Sequence, residues 1–105
     1  MALDANTGSI ISRELAEKLI KAYDSKFPGE VISSFIGINN VEKILTQKGC
    51  VGIRIYNGYD DNLKKIKLVI VGVDENEVEI LEQGIIYDDM LTCPPNCPIE
   101  KGLFP

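Results

Sequence analysis

Cys50-Val51-Gly52-Ile53-Arg54-Ile55-Tyr56 and, a little further on, Ile66-Lys67-Leu68-Val69-Ile70-Val71-Gly72-Val73 decide the fold of this chain. In the first stretch Val51, Ile53 and Ile55 alternate with Gly52, Arg54 and Tyr56, and a period of two sends successive side chains to opposite faces of a half-buried strand. In the second, Leu68 to Val73 is almost continuously apolar and β-branched, the pattern of a strand covered on both faces. Between them Asp60-Asp61-Asn62 offer side chains that bond to the nearby backbone in turns, so the two strands are expected to close as an antiparallel hairpin.

Working outward, Asp74-Glu75-Asn76-Glu77 makes the next turn, and Val78, Ile80, Ile85, Ile86 and Tyr87 supply one or two more strand pieces around Gln83-Gly84. On the N-terminal side, Ile11, Leu15, Leu19, Ala22 and Tyr23 recur at helical spacing with charged residues between them, with Ser9 or Ser12 as cap and Pro28-Gly29 as the stop. Glu30 to Ile38 reads as extended. Asn39 then caps a second helix, with Glu42 at its third position and Lys48-Gly49 at its end. The expected fold is therefore α+β: two N-terminal helices packed on one face of an antiparallel meander of three to four strands. From Thr92 onward four of the five prolines fall close together and remove backbone donors. Residues 1–91 are thus expected to form a single domain and 92–105 a Cys/Pro-rich tail, neither strand nor helix.

The 105 residues suit one hydrophobic core, and 45% hydrophobic with 26% charged residues is ordinary globular usage. The formal charge of −5 argues against a surface built to bind nucleic-acid phosphates or anionic membranes, which needs clustered Lys and Arg. Negative charge concentrates late: beyond Lys67, Lys101 is the one basic residue against eight acidic ones. No signal peptide or membrane-length apolar run is legible, so a cytoplasmic location is expected, where cysteines are mostly thiols. Three is an odd number, which rules out a complete intramolecular disulfide framework.

In Gly52-Ile53-Arg54-Ile55-Tyr56, Val71-Gly72-Val73-Asp74 and Cys93-Pro94-Pro95-Asn96-Cys97-Pro98 the chain resembles a group of short uncharacterised bacterial proteins with the same order of elements. The resemblance covers roughly the second half of the chain and implies no substrate, cofactor or catalytic residue.

Four sets of residues are candidates for function. Cys93 and Cys97 lie four residues apart on a proline-stiffened segment, a spacing from which both sulfurs reach one metal ion or each other. Cys50 is a candidate third ligand, and with no His a fourth would come from Asp88, Asp89, Glu100 or water. Prolines that merely stiffen a tail are the plainer alternative. Arg54 with Tyr56 and Tyr59 is a candidate small-anion pocket, against the alternative of ordinary half-exposed strand side chains. The acidic pairs Asp60-Asp61, Asp74-Glu75 and Asp88-Asp89 are read as solvated turns, since none has calcium-loop spacing. Val69, Val71 and Val73 form an apolar interface in a symmetric dimer if the helices leave their face open; the alternative is that Ile99, Leu103 and Phe104 of the tail cover them.

Hydrolytic chemistry lacks a His base, a nucleophile elbow and a phosphate loop. The chain is accordingly expected to be a non-enzymatic protein-interaction module, homodimeric or bound to another protein, with no cofactor. The alternative is a metal- or redox-responsive protein using Cys93 and Cys97 with Cys50.

Overall fold

The computed structural model describes residues 3–82, 84–88, 90–98 and 102–103. Gln83, Asp89, Ile99, Glu100 and Phe104, which figure among the expectations above, lie outside them. The elements in order are helix α1 (Arg13–Lys26), strand β1 (Ser33–Phe35), helix α2 (Ile38–Leu45), and strands β2 (Cys50–Asp60), β3 (Lys65–Asp74), β4 (Ile86–Tyr87) and β5 (Leu91–Cys93). The class is α+β, with antiparallel sheets of two and three strands. The chain divides into two compact units, one of Met1–Thr7 with Ile36–Met90 and the other of Gly8–Phe35 with Leu91–Pro105.

The first unit is built on the β2–β3 hairpin, in register from Asp60 opposite Lys65 back to Gly52 opposite Val73. Asp60 Oδ1 accepts from the backbone N–H of Asn62 and of Leu63, both at 2.9 Å, and so fixes the turn. The bond from Leu63 is the main reason the Asp60 carboxyl sits below its ordinary range. At the other end a bulge at Val51 interrupts the ladder between Cys50 and Gly52. Asp74 repeats the turn device, accepting from Asn76 N and Val78 N, and the chain then runs back along β3 through Glu79, opposite Val73, to β4, where Ile86 faces Val71.

The second helix begins one residue before the expected cap. Gly37 is the N-cap, with no side-chain bond, because its extended backbone already lets its carbonyl accept from Asn40 N and Val41 N. The helix ends at Leu45, three residues short of Lys48, where Thr46 Oγ1 and Gln47 Nε2 add second hydrogen bonds to the carbonyls of Glu42 and Ile44. Its Ile44 is the most completely buried side chain among the described residues and packs over Gly72 of β3, whose missing Cβ leaves the space. Only α2 of the two helices belongs to this unit.

In the second unit, α1 opens with Ser12 Oγ accepting from Leu15 N at 3.1 Å and closes with the Phe27 N–H on Tyr23 O. Gly29 takes a positive φ just beyond it. Leu91–Cys93, whose last two residues were expected to lie in an irregular tail, is a strand: Ser33, Ser34 and Phe35 of β1 stand opposite Cys93, Thr92 and Leu91. The prolines begin only at Pro94, so the ladder keeps every donor it needs.

Candidate functional site

Face by face, the β2–β3 hairpin sorts the first unit's candidates. Residues directly opposite in an antiparallel ladder share a face. Ile53 stands opposite Gly72 and Ile55 opposite Ile70, so both isoleucines are on the α2 side. Arg54 stands opposite Val71 and Tyr56 opposite Val69, on the other side. The ladder has no irregularity beyond Gly52, so Tyr59 falls on the α2 side, away from Arg54 and Tyr56.

Glu79, not foreseen as a site residue, occupies the expected anion pocket. Arg54 Nη1 donates to Glu79 Oε2 at 2.9 Å, and the Tyr56 hydroxyl donates to the same oxygen. The Tyr56 bond first, then Arg54, hold the Glu79 carboxyl below its ordinary value; the same contact with Glu79 raises Arg54. A carboxylate of the chain itself thus satisfies the guanidinium that was to receive a small anion. The signal for Glu79 in the sequence is an acid set between β-branched residues, Val78 and Ile80, in a strand-like alternation.

The valine row has the parity expected of it, opposite α2, and within it Val69 is half-buried. Val71 and Val73 are 2% and 5% exposed, so neither offers a surface to a second copy. The exposed apolar row is the other one: Ile53 is 42% and Ile55 52% exposed. Sheet order β2-β3-β4 makes β2 an outer strand, with β3 on one side and, among the described residues, no strand on the other. Alongside its first half a cavity of about 490 Å³ separates Val51 to Ile55 from Leu3, Asp4, Ala5 and Thr7.

The second unit holds the sulfur pair. Cys93 and Cys97 are joined in a disulfide rather than standing as thiols. Cys93 closes β5, its carbonyl accepting from Ile32 N at 2.7 Å, and is 3% exposed. Cys97 is exposed and sits in the turn that follows, where Asn96 N donates to Thr92 O and Cys97 N to Pro95 O. A cavity of about 350 Å³ lies against both cysteines, walled by Ile20, Ile32, Pro94, Pro98 and Leu103, with the Ser33 hydroxyl as the polar side chain among its neighbours.

Cys50 belongs to the first unit, where its Sγ donates to Gly52 O at 3.2 Å. A disulfide has no thiolate to give a metal, so a site made of Cys93, Cys97 and Cys50 requires the bond to be reduced first. Among the described residues no three Cys, Asp or Glu side chains are grouped to hold an ion. No helix among them is long and apolar enough to cross a membrane. No protein-family model, curated protein or solved structure matches this chain.

Proposed function

We propose that this chain is a non-enzymatic protein-interaction module that forms a homodimer by antiparallel pairing of β2 with β2 of a second copy. The observation that carries this is an outer strand of 11 residues bearing Ile53 and Ile55 half exposed on one face. Unpaired edges attract other strands, and proteins that stay monomeric commonly place Lys or Pro on them. From Cys50 to Tyr59 the edge has no Pro, no Lys and a single charge, Arg54, which Glu79 balances within the chain.

Self-pairing suits the sequence of the strand. A two-fold axis at Arg54 sets Ile53 of one copy opposite Ile55 of the other, and the reverse, which gives two aliphatic cross-strand pairs on one face. Sedimentation equilibrium over a range of concentrations tests this. The expected mass moves from 11.6 kDa toward twice that value, and Ile55→Lys returns it to the monomer with the circular dichroism unchanged. A chain that stays monomeric at every concentration refutes the proposal, as does a dimer indifferent to Ile55→Lys and to Ile53→Lys.

A further inference from the structure

The second unit carries an inference independent of strand pairing. We propose that the Cys93–Cys97 disulfide is a thiol–disulfide exchange centre that oxidises a dithiol carrying an apolar group, with Cys97 Sγ the sulfur attacked and Cys93 Sγ the sulfur released.

The two sulfurs differ in access and in anchorage. An attacking thiolate approaches in line with the bond it breaks, so it reaches the sulfur whose far side opens to solvent. Cys97 is exposed, whereas Cys93 is 3% exposed and is held in β5 opposite Ser33. Cys97 lies beyond the last strand residue, with its N–H bonded only locally to Pro95 O, so this end can move when the bond opens while Cys93 stays in the ladder. The apolar cavity of about 350 Å³ borders both cysteines. That volume lies within the range of small-molecule sites, and its aliphatic wall recognises a hydrocarbon group beside the incoming sulfur rather than a charged one.

The reaction balances in two steps. A substrate thiolate attacks Cys97 Sγ, the Cys93–Cys97 bond breaks, and its electron pair leaves on Cys93 Sγ, which takes a proton from water. The second substrate thiolate then attacks the substrate sulfur of the mixed disulfide and expels Cys97 as thiolate. The dithiol has lost two electrons and two protons to become a disulfide, and Cys93 and Cys97 have become the two thiols. Return of the protein to its starting state needs a disulfide or another two-electron oxidant.

Two measurements on the full chain test this. The protein is reduced natively with dithiothreitol, pulsed with iodoacetamide and mapped by peptide mass, which separates Cys93, Cys97 and Cys50. Cys97 should label about tenfold faster than Cys93, as the difference in exposure dictates. Rates of native disulfide opening are then compared for benzyl mercaptan and for 2-mercaptoethanesulfonate at matched thiolate concentration. The aromatic thiol should be several-fold faster, and Ile20→Ser should erase that preference; Leu103→Ser, outside any helix or strand, serves the same purpose if Ile20→Ser disturbs α1. Labelling of Cys93 as fast as Cys97, a first mixed disulfide on Cys93, or equal rates for the two thiols would overturn the proposal.

Discussion

Replacing Gly72 by Ala tests the packing that holds α2 on the hairpin. A Cβ at Gly72 would stand 2.9 Å from Gln47 Nε2, 3.2 Å from Cys50 Sγ and 3.3 Å from Ile44 Cγ2. The closest of these is the end of a flexible side chain and can withdraw, but only by giving up its bond to Ile44 O at the helix C-terminus. The other two must give by a few tenths of an ångström, and Ile44 is the most buried side chain among the described residues. Overfilling a packed site costs about 1–3 kcal/mol, and the lost hydrogen bond about 1 kcal/mol net. Against this, Ala restricts the unfolded chain and returns about 0.5–1 kcal/mol.

The net loss is about 2 kcal/mol, a fall in Tm of about 8–16 °C for a domain of this size. Urea and thermal denaturation followed by circular dichroism measure it, with the urea slope unchanged because the same surface is exposed. Gln47→Ala supplies the internal check. Its Oε1 is buried with no partner among the described residues, so removing the side chain relieves one unsatisfied acceptor as it deletes one bond. In the Gly72→Ala background that truncation should be less harmful than in the parent, by about 0.5–1 kcal/mol of coupling. A Gly72→Ala protein that melts at or above the parent temperature would show that α2 does not seat over Gly72.

Ser12→Ala removes the one side-chain cap of α1 and should cost about 1 kcal/mol, read as a drop in Tm of about 4–8 °C; no change would mean that the helix start does not contribute to the transition. Glu79→Gln tests the Arg54–Glu79–Tyr56 cluster through pH. Because the folded carboxyl is held below its ordinary value of 4.5, its stabilisation is complete above that pH and fades as pH falls through the lower folded value. The parent should therefore lose stability in acid more steeply than Glu79→Gln, and a variant whose urea midpoint matches the parent's at every pH from neutral to acid would remove the cluster from the stability of the fold.

The hairpin was legible because two periodicities and one turn signal agreed: alternation in Val51–Tyr56, a continuous apolar run in Leu68–Val73, and Asp60 ahead of Asn62. The first helix was legible for the same reason, Ser12 and Pro28-Gly29 bounding one apolar stripe. What periodicity could not fix was which face of β2 would be covered, since that depends on where α2 lands, and Gly72 decides the landing site by being empty. Nor could it find Glu79, whose meaning comes from a register that folds it back beside Arg54. The strand at Leu91–Cys93 was hidden by the prolines that follow it, although every one of them comes after the last paired residue. That Cys93 and Cys97 lie within reach of each other was legible from their spacing; that they are joined was not, because cysteine number and expected compartment do not bear on whether two particular sulfurs meet.

The exposure of Ile53 and Ile55 follows from where α2 lies on the hairpin. An eight-residue helix spans about 12 Å, whereas an 11-residue strand runs to about 36 Å. α2 seats over Gly72, near the Cys50 end of the hairpin. On that face the cover falls on β3 rather than β2: Ile70 is 5% exposed, while Ile55 opposite it is 52% and Ile53 opposite Gly72 is 42% exposed. The apolar row of β2 is thus left part open, and it lies beside the one edge of the hairpin that has no strand neighbour among the described residues. An uncovered aliphatic row and an unpaired backbone edge on the same strand are both satisfied by one event, the addition of another strand, and a second β2 brings the same two needs with it.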